Sequence, residues 1–284
     1  MHRRQVDIDL VRGALRKIHY AAGKSSYPFI SGDTYAALCD YRFSEKSSLA
    51  DLKKKHESIK LFLPANLKDP FSSELFSDKS DFSRDILIIH NDDNIPSIEE
   101  MTVFSKRFKN VYSVNWLGDK AIAKPIPIGL ENWALLRNGV PTDFFRLIKK
   151  GLIPTSKRSI RILSSFSIET NASERSKAIE FSKTNSEVFQ MPTFTSPKRY
   201  REMLSNSAFV LSPPGNGADC HRTWEAIYLG AIPIVLKKYW PFSHLKLPVL
   251  TVEEWTDVPK MIGASNDWNL RSIEELRSEF LTFP

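Results

Sequence analysis

Residues 212–235, SPPGNGADCHRTWEAIYLGAIPIV, concentrate polar groups and small residues between two apolar runs. Phe209-Val210-Leu211 reads as a strand, and the loop that leaves its carboxyl end starts at Ser212 and ends at Asp219. Gly215 and Gly217, flanking Asn216, offer backbone conformations closed to other residues and let a ligand approach the main chain. A helix beginning near Asp219 or Cys220 has free N–H groups and a positive dipole end, which suit phosphate. His221 and Arg222 lie four and three residues before Glu225, so the three share one helix face near that end. Two groups there could bind phosphate while the carboxylate takes ribose hydroxyls, which fits a nucleotide diphosphate. A plainer reading has Asp219 capping the helix and Glu225 pairing with Arg222. Neither common phosphate motif matches: no Lys-Ser or Lys-Thr follows these glycines, and Cys220 stands where GxGxxG needs its third glycine.

Such a loop needs a sheet to carry it, and strand and helix signals alternate along most of the chain. YPFI reads as a strand before SGDTYAALCDYRF, where Tyr35, Leu38 and Cys39 share a helical face. IKLFL, DILIIH, NVYSV and KPIPIGL supply further strands, and Ser97 with Glu100 forms a capping box that opens a helix to about Phe108. The pattern then restarts. RSIRILSSFS and AFVLS read as strands, Asn171 with Glu174 caps a helix to about Lys183, and Tyr200, Met203 and Leu204 mark another helix face. TWEAIYL predicts a helix ending at Gly230, with the strand IPIVL two residues on, a β-α-β succession that requires parallel pairing. Thr251 with Glu254 predicts another capped helix, and SIEELRSEFL a terminal one. The expected class is α/β: two Rossmann-like lobes with mostly parallel sheets, residues 1–150 and 151–284. One continuous doubly wound domain is the alternative.

Composition narrows the function class. The chain has 284 residues, 42% hydrophobic and 26% charged, the balance of a soluble globular protein. No apolar run reaches the roughly 18 residues that cross a bilayer. The basic start, MHRRQVDIDLVRGALRKIHYAAGK, lacks the h-region of a secretory signal. Cys39 and Cys220 form no CxxC pair, which argues against a disulfide framework or structural zinc and fits a reducing, cytoplasmic setting. Net charge is +7, but the basic residues are dispersed and the aromatics form no stacking platform, so nucleic acid is not an expected partner. Val11, Leu15 and Ile18 fall on one helix face among Arg12, Arg16 and Lys17; this helix packs on the domain or rests on the inner face of a membrane.

LSPPGNGADCHRTWEAIYLGAIPIV resembles the donor-binding motif of exostosin-like glycosyltransferases: a Ser-Pro-x-Gly loop, an Arg-Thr-x-Glu helix and a Gly-x-x-Pro-Ile/Val-Val strand. KPIPIGLEN, ISGDTYAALCD and IIHNDD resemble segments of bacterial members. The resemblance spans roughly residues 25–260 and is specific only at 205–240. It implies a GT-B architecture with a nucleotide-sugar in the C-terminal lobe and a saccharide or lipid-linked saccharide acceptor in the N-terminal lobe. It implies that no bound metal or other cofactor is required; NDDN at 91–94 is not an Asp-x-Asp motif. By position, Glu225 would bind the donor ribose, while Arg222 and the loop at Gly215, Asn216 and Gly217 would hold the diphosphate or sugar. Arg175 looks like the cation facing the diphosphate, the alternative being an exposed arginine paired with Glu174 or Glu180. Inversion would need a base from an N-lobe loop. Asp33 is the first choice, Asp93 the second and His90 the third; Asp33 also suits the N-cap of a helix starting at Thr34. Much shorter than animal exostosins, the chain fits bacterial surface-polysaccharide synthesis. A binding module of the same fold that has lost its chemistry is the competing reading.

Overall fold

The computed structural model describes residues 25–44, 49, 57–77, 80–135, 137–192, 195–264, 268 and 270–283. The proposed N-terminal basic helix lies outside these residues. Two five-stranded sheets organise the chain, and every strand pair in both is parallel. The first sheet runs β1 (Tyr41–Arg42), β2 (Lys60–Pro64), β3 (Ile86–His90), β4 (Asn110–Val114) and β5 (Lys124–Ile126), in that spatial order. The second contains β6 (Ile160–Ser164), β7 (Val188–Gln190), β8 (Ser207–Leu211), β9 (Ile232–Leu236) and β10 (Leu250–Val252), arranged β10-β9-β8-β6-β7. These are two Rossmann-like α/β lobes, consistent with GT-B.

Sheets covered on both faces need strands that are apolar throughout, and β3, β8 and β9 are buried along their whole length. The period of two then sends neighbours to opposite cores. In β3, Leu87 and Ile89 pack with Phe71 of α2 (Lys68–Ser77) and Phe104 of α3 (Ile98–Ser105), whereas Ile86 and Ile88 face the other way. In the second lobe, Ile232, Ile234 and Leu236 pack with Phe181 of α5 (Ala172–Thr184) and Val258 of α8 (Val258–Ala264). The inward faces merge into one core shared by both lobes. It joins Phe62, Ile88 and Val114 to Leu163, Val210 and Val235, with Phe144 of α4 (Pro141–Lys149), Leu204 of α6 (Pro197–Ser205) and Trp224 of α7 (His221–Tyr228) between them. Helix α9 (Ile273–Phe280) closes this core, its Phe280 edge-on to Trp224, and Phe283 beyond it packs on Tyr35 and Tyr112 of the first lobe.

Several local expectations change. YPFI is not a strand: Phe29 N donates to Ser26 O, turning the chain, and Ile30 N donates to Tyr228 Oη. Phe29 and Ile30 are apolar because they enter the shared core. Helix α1 (Gly32–Leu38) is capped by Ser31, whose Oγ accepts from Thr34 N, so Asp33 sits in the first turn rather than at the cap. Within KPIPIGL only Lys124–Ile126 pairs with β4, and Leu130 makes an isolated bridge with Ser31; Pro125 and Pro127 lack the N–H that would extend a ladder. Thr251 belongs to β10, and Glu254 caps a short 3-10 turn, Trp255–Asp257, that leads into α8. Ser97 and Asn171 cap their helices by accepting from Glu100 N and Glu174 N, but these glutamates pair with Lys68 and Lys238 instead of closing the expected capping boxes; Ser272 and Glu275 form a reciprocal one on α9.

Candidate functional site

A cavity of ≈ 730 Å³ opens between the carboxyl ends of the two sheets. Its first-lobe wall comes from loops after β3, β4 and β5, with Asp93, Asn115, Ile128 and Glu131 lining it. Its second-lobe wall comes from the turn after β6 (Ser165, Phe166, Ser167), the loop after β8 (Gly215, Asn216, Gly217) and the start of α7. Parallel strands deliver all these loops to one end of each sheet, so residues far apart in the chain meet there.

Arg175 and Arg222 both line this second wall. Arg175 Nε donates to Pro214 O (2.9 Å) and Nη1 to Ser167 O (2.6 Å), while Arg222 Nε donates to Ser165 O (2.8 Å). Both guanidiniums lie against the Phe166 ring, 5.8 Å and 5.4 Å from its centroid. Among the described residues no carboxylate forms an ion pair with either guanidinium; Glu169 and Glu225 act on Arg175 and Arg222 only at longer range. Burial, and then Arg222 itself, pulls the Arg175 guanidinium below its ordinary pKa. Arg222 Nη1 is buried without a hydrogen-bond partner. An anion between the two would relieve both the repulsion and the unmet donor.

Glu225 also lines the cavity and is 4% exposed; its Oε2 accepts from Tyr200 Oη at 3.0 Å. Burial pushes its carboxyl above the usual range. Gly215 and Gly217 are needed for a reason other than backbone conformation, since neither has positive φ. A Cβ on Gly217 would lie 2.4 Å from Asn115 Nδ2, and one on Gly215 3.1 Å from an Arg175 nitrogen. Asn216 is exposed on the cavity wall. Ser212 is buried away from the cavity, its Oγ 2.8 Å from Thr223 Oγ1.

Asp219 and His221 line the cavity but spend their side chains on joining the lobes. Asp219 accepts from Cys220 N, from Trp224 Nε1 and, across the lobes, from Ile128 N at 2.9 Å. Burial lifts its pKa to about 6. His221 Nδ1 lies 2.8 Å from Gly129 O. Cys220, not Asp219, is the N-cap residue of α7, with no side-chain cap bond, which leaves that helix end open toward the cavity.

Of the three base candidates, Asp93 alone lines the cavity, where it is exposed. The Asp33 carboxylate is 5% exposed and accepts from Ser26 N (3.2 Å), Ser31 Oγ and Trp133 N (2.9 Å). His90 is 1% exposed and accepts at Nδ1 from Asn91 N, so the neutral ring donates from Nε2 to Pro127 O at 3.1 Å. Burial holds its pKa down at about 4. Glu131 and Asn115 were not among the residues singled out in the sequence. Glu131 Oε2 accepts from Asn138 N at 2.7 Å, closing its own loop. Their signal was position alone: both follow a strand of the first sheet.

Residues 165–283 match the family described as the RXYLT1 C-terminal domain. This stretch, which holds both arginines, the 212–219 loop and Glu225, is similar to a glycosyltransferase-related domain; the match does not single out the exostosin-like group. No curated protein matches the chain. Among the described residues, no helix is long and apolar enough to cross a membrane.

Proposed function

We propose that the chain is an inverting glycosyltransferase that moves a sugar from a nucleotide-sugar, first of all a UDP-sugar, to a hydroxyl of a saccharide or lipid-linked saccharide. In this reading residues 151–284 bind the donor and residues 1–150 the acceptor. The observation that carries it is the pair Arg175 and Arg222, two guanidiniums held by carbonyls on one wall of the cavity. The diphosphate lies between them, against the open amino end of α7. Glu225 accepts from ribose hydroxyls and is oriented by Tyr200.

Asp93 is the base in this scheme, taken before Asp33 because its carboxylate is exposed in the cavity while that of Asp33 is occupied by three donors. It accepts the proton of the acceptor hydroxyl as that oxygen bonds to the anomeric carbon. The bond from the anomeric carbon to the diphosphate oxygen breaks on the opposite face. The electron pair leaves with the nucleoside diphosphate, whose charge the two arginines meet without a required metal.

A thermal-shift panel of UDP, ADP, GDP and their sugar conjugates tests the reading. UDP or a UDP-sugar should raise the melting temperature, since a ligand at ~100-fold its Kd adds about 2.7 kcal/mol. With an acceptor, nucleoside diphosphate should be released in EDTA as in buffer. A panel with no stabilising nucleotide removes the proposal. Stabilisation without release, across saccharide acceptors, makes the chain a binding module. Loss of turnover in EDTA, restored by manganese, would show that the two arginines do not suffice.

A further inference from the structure

Asn115 follows β4, is 2% exposed and lines the cavity, yet its carboxamide bonds to main chain on both sides of the cleft. Nδ2 donates to Asp92 O at 2.9 Å, in the loop that carries Asp93. Oδ1 accepts from Asp219 N at 2.9 Å, at the end of the 212–219 loop. One rigid planar group therefore spans the base-bearing loop and the donor loop. Its backbone sits in the left-handed region (φ 60), which Asn tolerates better than most residues. Gly217 approaches so closely that any side chain there would displace the carboxamide.

Each loop is also fixed from its far side. Lys68 Nζ pairs with Asp92 at 2.7 Å and with Glu100 at 2.9 Å, and Asp92 Oδ1 accepts from Asn94 N at 3.0 Å. The Asp219 carboxylate is held by Ile128 N, Trp224 Nε1 and Cys220 N. Neither loop needs Asn115 to keep its own shape. Asn115 instead sets the register of one against the other.

We infer that Asn115 is a positioning residue that couples the donor loop to the Asp93 loop, so that nucleotide seated on one wall fixes the carboxylate on the other. The inference rests on the function proposed above, and its test separates the two. Asn115→Gly keeps the backbone conformation and removes both bonds; Asn115→Asp keeps the acceptor for Asp219 N and removes the donor to Asp92 O. Both variants should bind UDP within about threefold of wild type, because the other anchors of Asp219 remain. Turnover should fall about 10²-fold, the scale of a misplaced reacting group. Amide hydrogen exchange supplies a readout free of turnover. UDP should slow exchange at 92–94 and at 215–219 in wild type, but only at 215–219 in the variants.

Lower stability with wild-type kcat in both variants makes Asn115 purely structural and overturns the inference. Exchange at 92–94 that ignores UDP in wild type overturns it as well, even if no acceptor is found. Wild-type protein that binds none of UDP, ADP and GDP removes the proposed function and this inference together; where ADP or GDP binds in place of UDP, that nucleotide is the probe for the same exchange test. UDP binding with unaltered coupling in the variants removes the inference alone.

Discussion

The two sheets differ in how the chain winds through them. In the first, spatial order follows chain order from β1 to β5, so every crossover advances in one direction. In the second, the chain steps from β6 outward to β7, then returns to the other side of β6 and continues through β8, β9 and β10. That reversal puts two successive crossovers on opposite sides of the β6–β8 pair and opens a crevice beyond their carboxyl ends. The turn after β6 and the loop after β8 line that crevice, with Arg222 bonded to the first and Arg175 to both. The first sheet has no reversal among its described strands and contributes the wall with Asp93 and Glu131. Winding thus sets the wall that holds both arginines apart from the wall that holds Asp93.

The sharpest test of this division lies on the first wall. Asp93→Asn should lower kcat by on the order of 10²–10⁴ while leaving UDP affinity unchanged. Glu131→Gln and Asp33→Asn are the comparisons. Asp33→Asn should act on stability, since it disturbs a buried carboxylate accepting from Ser26, Ser31 and Trp133. A folded Asp33→Asn protein without turnover, beside an active Asp93→Asn protein, would move the base to Asp33.

The lobes also carry buried titrating groups of opposite effect. His90, ordinarily near 6.5, is held at about 4, so between these values the folded chain binds fewer protons than the unfolded one. Stability from His90 therefore falls as pH drops through that window. Asp219, ordinarily near 3.8, is raised to about 6, so the folded chain binds more protons there and stability falls as pH rises. Each effect is worth about 3 kcal/mol, and in wild type they largely offset. Asp219→Asn should leave the His90 effect exposed, giving a loss larger than wild type's by about 3 kcal/mol between pH 6.5 and 4. Denaturant titrations at several pH values read this slope; parallel curves would refute it.

A smaller effect is expected on the second wall. Glu225→Ala should weaken UDP binding by about 1.5–3 kcal/mol, the range for a hydrogen bond to a charged group, and leave the fold intact. Calorimetry with UDP and with inorganic pyrophosphate discriminates the roles: the variant should lose affinity for UDP alone. Equal losses for both ligands would place Glu225 near the phosphates instead of the ribose.

The second lobe was more legible than the first because its signals are local. The strand, loop, helix and strand between residues 207 and 236 lie within a few residues of one another, and the reading needed only periodicity and turn chemistry. Asn171 likewise announced the helix that brings Arg175 to the cavity. Bonds between distant residues could not be read that way. Asp219 looked like a helix cap, but its cross-lobe partner is Ile128 N, 91 residues away. Asn115, 104 residues from Asp219, carried no local pattern. Asp33 was legible as polar but not as buried, because Trp133 N, 100 residues away, occupies its carboxylate.

The packing of Phe283 on Tyr35 and Tyr112 has a consequence for how the protein is made. A ribosome delivers the whole first sheet well before it delivers Phe283, and domains otherwise fold in order of synthesis. Here the first lobe can form its outer core early, yet Tyr35 and Tyr112 stay uncovered until Phe283 has emerged. Its inward face must also wait for Trp224 and Tyr228. The inward face of the first lobe therefore stays open from the synthesis of its sheet until residue 283 has left the ribosome, and the two lobes complete their shared core together.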